Sequence, residues 1–367
     1  MMITKTSIQN FKGIKKCDVN GFSTINLFIG KNDVCKSTIL ESIYYSLKEF
    51  TGANLYDIIG RRTNILFGAR ELWYNYNTAN VVSMNVVFDE GASTTIGIDI
   101  SLKGTPSGDI DINCAGTIEL GKANNKSAPL SVYSASNWKT KNVFRGLSLL
   151  DNLPQDIGVV IKEYITNCQF LDSSYKNDVK SIETLFGKIK SQGRVSEFNK
   201  YLLTTFEKGS RVKFLHEPDP STPDRYKVVV VEPNRRVFVS GLGDGIRYGM
   251  QIIGTGLVCR NTALFIEEIE SNQHPASLKK LISFLIEIAI KNKLQLFITT
   301  HSYDAWKYFV YHFKAVKQRN AHLRCFHVRR DSLTGEVISE QVNLNAAGQM
   351  KVHESLFGLE PDRYKGL

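Results

Sequence analysis

The sequence predicts an α/β fold: a mixed, mostly parallel sheet flanked by helices and carrying β-rich and helical insertions. Three observations lead there. Near the start, the apolar run Ile25-Asn26-Leu27-Phe28-Ile29 ends at Gly30 and an amphipathic stretch follows at 37–50, giving strand, loop and helix in succession. The last third alternates apolar runs with helical periodicity, and buried strands alternating with helices imply parallel pairing covered on both faces. Between these regions, 81–133 consists of short β-rich segments and 143–206 is periodic as helix.

Taken in order, residues 2–11 alternate polar and apolar in the manner of a strand. In 37–50, Ile39, Leu40, Ile43, Tyr44 and Leu47 recur at three-and-four spacing on one helix face. Residues 81–88 and 94–102 read as strands of an antiparallel appendage, separated by Gly, Asn, Ser and Pro clusters. Val159, Ile161, Tyr164, Ile165, Leu185, Ile189, Phe198 and Leu202 mark the helical stretch. Strand texture returns at 211–215 and 226–231, on either side of the proline-rich turn Glu217-Pro218-Asp219-Pro220-Ser221-Thr222-Pro223. Strand 263–266, helix 276–290, strand 294–299, helix 303–316 and strand 322–328 complete the chain. The expected organisation is one core made by 1–50 and 211–345. A β-rich lobe at 51–140 and a helical insertion at 141–210 interrupt it, and an extension at 346–367 follows.

Composition narrows the function classes. The 367 residues carry 46 Lys and Arg against 36 Asp and Glu, a net charge of +10, with 42% hydrophobic and 22% charged residues. Those proportions exclude wholesale disorder, collagen-like repeats and a coiled-coil rod. No run approaches the roughly 18 apolar residues of a membrane span, and the N-terminus has no signal-peptide core, so a cytoplasmic location and no membrane partner are expected. Cys17, Cys35, Cys114, Cys168, Cys259 and Cys325 are scattered without a CxxC pair and read as reduced thiols. The excess of cations favours a polyanionic partner.

The segment with most chemical content is Gly30-Lys31-Asn32-Asp33-Val34-Cys35-Lys36-Ser37-Thr38. Apart from one position it fits G-x-x-x-x-G-K-S/T between a strand and a helix, where loop amides and a helix N-terminus surround phosphate oxygens. In that geometry Lys36 reaches the β- and γ-phosphates of a nucleotide and the Ser37 hydroxyl faces Mg²⁺. Cys35 stands where the pattern has glycine. Its side chain crowds the phosphates, but the first turn of a helix does not require positive φ, so nucleotide binding is expected to survive. Read alone, the segment fits either a phosphate loop or a plain strand-to-helix turn containing a lysine.

Three further segments bear on that choice. Leu264-Phe265-Ile266-Glu267-Glu268-Ile269-Glu270 is an apolar strand ending in carboxylates, which suits a Mg²⁺ ligand at Glu267 and a water-orienting base at Glu268, or else a solvated strand end. Leu296-Phe297-Ile298-Thr299-Thr300-His301 places a histidine at the carboxyl end of a strand, where α/β sheets bind ligands. His216, His312, His322, His327 and His353 lack that position and read as structural. Ser240-Gly241-Leu242-Gly243-Asp244-Gly245 precedes a helix starting near Ile246, so its amides suit an anion or simply a capped turn.

Together these motifs resemble the ABC-type ATPase heads related to RecF, SMC proteins and the overcoming-lysogenization-defect family. Ile8-Gln9-Asn10-Phe11-Lys12-Gly13-Ile14 looks like their opening strand, 240–245 like their signature loop and Glu267-Glu268-Ile269-Glu270 like their D-E-P-E segment. His274-Pro275 is similar to the L-H-P that often follows, and Thr300-His301-Ser302 to the switch histidine. The resemblance covers 1–50 and 235–310. It implies a P-loop ABC-type fold and a Mg²⁺-dependent ATPase that dimerises head to head, or assembles further, around ATP. It also implies that Glu268 is the catalytic carboxylate, that His301 senses the γ-phosphate and that Ser240, Gly241 and Gly243 act on a partner's nucleotide. Cys35 for Gly, Glu267 for Asp and Ile269 for Pro depart from the family pattern; Cys35 is the change expected to slow hydrolysis most.

From Lys307 to Arg330 there are seven basic residues and no acid, with aromatics interleaved. That suits a surface tracking nucleic acid, or a helix with Phe309 and Phe313 on its core face and cations on its wet face. Many relatives of the lysogenization-defect type carry a Toprim nuclease, but only 302–367 follow His301, and Asp109-Ile110-Asp111, the one D-x-D pair, reads as a turn. The resemblance therefore implies a sensor or regulator whose effector, expected to be a nuclease of an anti-phage defence system, is a separate chain. The other readings are a slow or non-hydrolysing nucleotide-held scaffold and a RecF-like DNA-binding repair protein.

Overall fold

Strand β1 (Met2–Phe11) buries Ile3, Thr6, Ile8 and Phe11; strict alternation would split these four between two faces, but the strand's pairing shifts register between Ile3 and Lys5 and Asn10 takes φ +55°. It returns through a tight turn at Lys12-Gly13 into β2 (Ile14–Asn20), with Phe11 opposite Ile14. This computed structural model describes residues 1–50, 69–89, 94–104, 110–120, 126–128, 136–137, 155–172, 179–206, 213–219, 222–232, 235–313, 316–331, 333–344 and 357. The chain divides into two units, Met1–Cys168 with Ala321–Leu367, and Gln169–Asn320.

In the first unit β1 also pairs with β4 (Val82–Asp89), and β5 (Thr94–Gly104), β6 (Ile110–Leu120) and β7 (Lys126–Ala128) follow in an antiparallel meander, with β8 (Ser136–Asn137) on β6. The β-rich region is therefore not an appendage, because its first strand completes the ladder of the N-terminal hairpin. Ile110 and Asp111 open β6 opposite Gly104 and Lys103, in place of the expected turn; Asp109 lies outside the described residues. The expected C-terminal extension also lies outside them, apart from Phe357.

The same unit holds the strand that leads to the lysine loop. All five residues of β3 (Ile25–Ile29) are buried, and it runs parallel to β15 (Leu323–Arg330), which pairs antiparallel with β16 (Val337–Gln341). Phe28 stacks on Phe326 at 5.4 Å, and Phe22 meets Phe326 edge-on at 5.5 Å. Helix α1 (Lys36–Phe50) buries Ile39, Leu40, Ile43 and Leu47 completely, the face its periodicity marks. Helix α2 (Gln155–Asn167) supplies Tyr164 against Phe88 and the Thr166 carbonyl to Lys48.

In the second unit, β13 (Ala263–Ile266) lies between β9 (Gln169–Leu171) and β14 (Gln295–Thr300), all parallel. Their apolar character is explained by burial on both sides, with Phe170, Phe265 and Phe297 stacked at 6.0 and 5.0 Å. Helices α3 (Val179–Ser191), α4 (Val195–Thr205), α5 (Asp244–Val258), α6 (Pro275–Asn292) and α7 (Tyr303–His312) cover them. In α5, Gly249 makes room for the Phe206 ring, which a Cβ would meet at 2.3 Å. The last expected helix stops at His312, and a short α8 (Val316–His322) follows.

The proline-rich segment is tighter than its composition suggests. Strands β10 (Lys213–Asp219) and β11 (Thr222–Glu232) run into it until Asp219 faces Thr222, and β12 (Arg235–Phe238) pairs on the other side of β11. Pro220 and Ser221 lie outside the described residues. Among those described, no helix is long and apolar enough to cross a membrane.

Candidate functional site

The loop after β3 begins at Gly30, with φ +144°, where a Cβ would meet the Val328 carbonyl oxygen at 2.4 Å. Glycine is therefore required by both conformation and space. Asp33 and Cys35 take φ of +63° and +68°, with Val34 between them outside that region. Alternation of backbone hand is the feature by which anion-binding concavities turn successive N–H groups to one side. Lys36, the first residue of α1, is buried and donates from Nζ to the carbonyls of Gly30 (2.8 Å) and Lys31 (2.6 Å), so the loop curls around its own ammonium. Lys31, Asn32 and Asp33 are exposed; Ser37 and Thr38, half-buried, open the helix whose N-terminus carries partial positive charge.

The positive φ at Cys35 corrects the expectation that the loop makes no such demand there. The left-handed region is open to glycine and costs an ordinary L-residue roughly 1–2 kcal/mol. Burial pushes the Cys35 thiol up; the Arg330 guanidinium and the Thr38 hydroxyl pull it down without reversing the shift. Arg330 Nη2 lies 3.2 Å from Cys35 Sγ and 2.6 Å from the Gly13 carbonyl oxygen. The Gly13 turn is fixed in turn by Lys12, whose Nζ bonds Glu41 of α1 at 2.7 Å and lies over the Tyr45 ring.

In the second unit the chain leaves β13 at Glu267, which is 3% exposed; its N–H donates to the Leu171 carbonyl and its own carbonyl accepts from the Tyr248 hydroxyl at 2.6 Å. Glu268 takes φ +47°, a strained conformation for a long side chain, and its N–H donates to Thr299 Oγ1 at 3.0 Å. One oxygen of Glu270 accepts from the His301 N–H at 2.8 Å and faces His301 Nδ1 at 3.1 Å; its other oxygen is buried with no hydrogen-bond partner among the described residues. Glu267, Glu268, Thr299, Glu270 and His301 are thus gathered at the carboxyl ends of β13 and β14.

The Ser/Gly loop joins that cluster through the start of α5. Val239–Gly241 forms one 3-10 turn and Gly243 is the N-cap of α5; Ser240, Gly241 and Gly243 are exposed. Gln273 Nε2 donates to the Gly245 carbonyl at 2.8 Å. His274 caps α6 through Nδ1, which accepts from the Ala276 N–H, and Pro275 occupies the first helical position, where its missing N–H costs nothing.

Glu270 and Arg330 are the participants that sequence reasoning missed. Glu270 belonged to the acidic strand end but had no assigned partner, and Arg330 is 295 residues from Cys35. Much of the basic segment is engaged internally. Arg329 bonds Glu340 at 2.9 Å, Lys307 pairs with Asp304 at 3.2 Å over the Tyr303 ring, and Phe309 is buried as a core face requires.

Comparison with known proteins gives a consistent result. A family model described as "AAA ATPase domain" matches residues 1–208 and 147–304. The chain is 22% identical over 332 residues to an "ATP/GTP phosphatase" of Helicobacter pylori, covering 83% of this chain and 86% of that protein. A 45-residue stretch is 42% identical to the DNA replication and repair protein RecF of Lactobacillus acidophilus, 12% of each chain. Among solved structures, an SMC head bound to the C-winged helix domain of ScpA aligns with a TM-score of 0.56 at 14% identity, over 94% of this chain and 99% of that one. At that identity the likeness is one of fold.

Proposed function

The chain belongs to the AAA ATPase domain family and has the fold of a P-loop ABC-type head, and from that premise we propose that it binds and hydrolyses ATP with Mg²⁺, dimerises around the nucleotide and regulates a separate effector. The observation that carries this reading is the 30–38 loop, which combines left-handed turns at Asp33 and Cys35 with a buried lysine at the N-terminus of α1. Such a loop suits the oxygens of a polyphosphate.

Phosphoryl transfer proceeds by positioning and charge stabilisation, so each group has a limited task. Lys36 neutralises the phosphates. Ser37 and Glu267 are hard oxygen donors of the kind Mg²⁺ accepts, and the ion, when bound, offsets charge on the phosphate oxygens. Glu268 orients the attacking water and takes its proton. His301 turns Nδ1 to Glu270, which leaves Nε2 as the ring atom for the attacking water or a phosphate oxygen. The exposure of Ser240, Gly241 and Gly243 supports a role for them on the nucleotide of a second subunit.

The finer reading, a sensor whose effector is a nuclease in anti-phage defence, rests on resemblance to stand-alone heads of this type. The test is ATP hydrolysis with Mg²⁺ beside molecular size with and without ATP. Lys36→Ala should abolish turnover, and Glu268→Gln should trap an ATP-dependent dimer; a Glu268→Gln protein that stays monomeric with ATP would reject the clamp. The left-handed Cys35 favours one second reading, a nucleotide-held scaffold with slow turnover, and a large rise in turnover on Cys35→Gly would support it.

A further inference from the structure

Three elements of the first unit converge on Cys35. Strand β15 runs parallel to β3 with His327 beside Ile29, so its last residues pass the point where β3 gives way to the loop. There the Val328 carbonyl lies against Gly30, and two residues later Arg330 reaches Gly13 and Cys35. A Cβ on Gly13 would stand 2.8 Å from Cys35 Sγ and 3.0 Å from Arg330 Nη2, so glycine in the β1–β2 turn is what lets thiol and guanidinium fit beneath it.

Cys35 is simultaneously a residue of the loop and the residue whose carbonyl accepts the first helical bond of α1, from Ile39 at 3.1 Å. Its φ therefore sets how the loop meets the helix N-terminus. Glycine holds φ +68° without penalty; cysteine does not, and its side chain must be retained by its surroundings. Besides the Thr38 hydroxyl of the helix that follows, those surroundings include the guanidinium of Arg330, anchored on a backbone carbonyl, and the bare backbone of Gly13.

We propose that Arg330 is a positioning residue for the phosphate loop: together with Gly13 it clamps the Cys35 side chain and so holds the left-handed conformation that the loop pattern otherwise obtains from glycine. The inference rests on reading 30–38 as the nucleotide loop. It assigns a role to a residue at the end of the basic segment that is distinct from nucleic-acid contact. Because Arg330 acts through Cys35, its importance depends on the residue at position 35.

That dependence is the test. ATP affinity of the full-length protein is measured by calorimetry for the wild type, Arg330→Ala, Cys35→Gly and the double variant, with Lys36→Ala beside them. Arg330→Ala should weaken ATP binding roughly tenfold in the Cys35 protein, the scale of a left-handed penalty, and less than about twofold when residue 35 is glycine. Equal losses in both backgrounds, or no loss in the wild type, would overturn the proposal; equal losses would mean direct contact with nucleotide or a general role in stability. Gly13→Ala tests the clamp from its other side should Arg330→Ala fail to fold, and its effect on ATP affinity should likewise be suppressed by Cys35→Gly. If Lys36→Ala leaves ATP affinity intact, the reading of the loop itself fails and the clamp with it. If Lys36→Ala abolishes binding and neither suppression occurs, only the clamp is rejected.

Discussion

The two glycines that flank Asp244 should respond to substitution in opposite ways. A Cβ on Gly245 would lie 2.2 Å from the Asn272 carbonyl oxygen and 3.3 Å from its carbon. Since Cβ contacts under 3.0 Å are essentially not seen, α5 or the segment after β13 must move by at least about 0.8 Å, the difference between 3.0 and 2.2 Å. Asn272 has little freedom to yield, being held at φ +57°, and the shift would strain the Gln273 bond to the Gly245 carbonyl. Overpacking of this kind costs about 1–3 kcal/mol, a lost hydrogen bond about 1 more, and the helix propensity of alanine returns at most about 1. Gly245→Ala should therefore lose about 2 kcal/mol. Gly243 has φ −62° and nothing within 4 Å of its virtual Cβ. At that N-cap, serine is preferred to glycine by a few tenths of a kcal/mol, so Gly243→Ser should be neutral or slightly stabilising. Urea unfolding of the full-length variants measures both, and at a slope of about 2–3 kcal/mol per M the first should drop the midpoint by about 0.7–1 M. A Gly245→Ala protein as stable as the wild type would refute the reasoning, because no other contact is invoked.

Thr299→Val keeps shape but removes the acceptor for the Glu268 N–H, so ATP hydrolysis should fall about tenfold or more while ATP affinity changes little; equal losses in both would place the effect in folding. Burial raises the Cys35 thiol, so its thiolate fraction at pH 7.5 is below that of an ordinary thiol, and iodoacetamide should modify it slowly, faster above pH 9 and slower with ATP present. Cys17 and Cys168, pushed up to about 12 and about 11 by burial, should not react in the folded protein, as peptide mapping would establish. At Glu197, burial works upward, but bonds from Arg194 and Lys291 outweigh it and hold the carboxyl below its usual value. A depressed carboxylate adds stability that is present above its unfolded value and lost as pH falls through the folded one. Glu197→Gln should therefore cost about 1 kcal/mol at pH 7, with the gap to wild type closing in acid below about pH 4.5.

Much of the architecture was legible because it is written in local pattern. The run of β3, apolar at four of its five residues, the three-and-four spacing of α1 and the alternation of 263–330 depend on neighbours in sequence, and hydrophobic periodicity reports them directly. The loop at 30–38, the acidic end of β13 and the histidine after β14 were visible for the same reason, since each is a short motif at a strand's carboxyl end. Pairing was less legible. The β-rich region looked detachable because no local signal joins β4 to β1, yet the ladder between Met2 and Asp89 does so.

What the residues determined by themselves is the class of chemistry: a strand, a phosphate-type loop, a helix, and carboxylates and a histidine in the right order. Only the tertiary structure decided the backbone hand at Cys35 and Glu268, the Glu270 carboxylate on His301 and the arrival of Arg330 beneath the loop. The physical reason is separation along the chain. Whether a non-glycine residue holds a left-handed conformation depends on what packs against its side chain, and for Cys35 those groups include, beyond nearby Thr38, residues 13 and 330, brought together by β1 and β15.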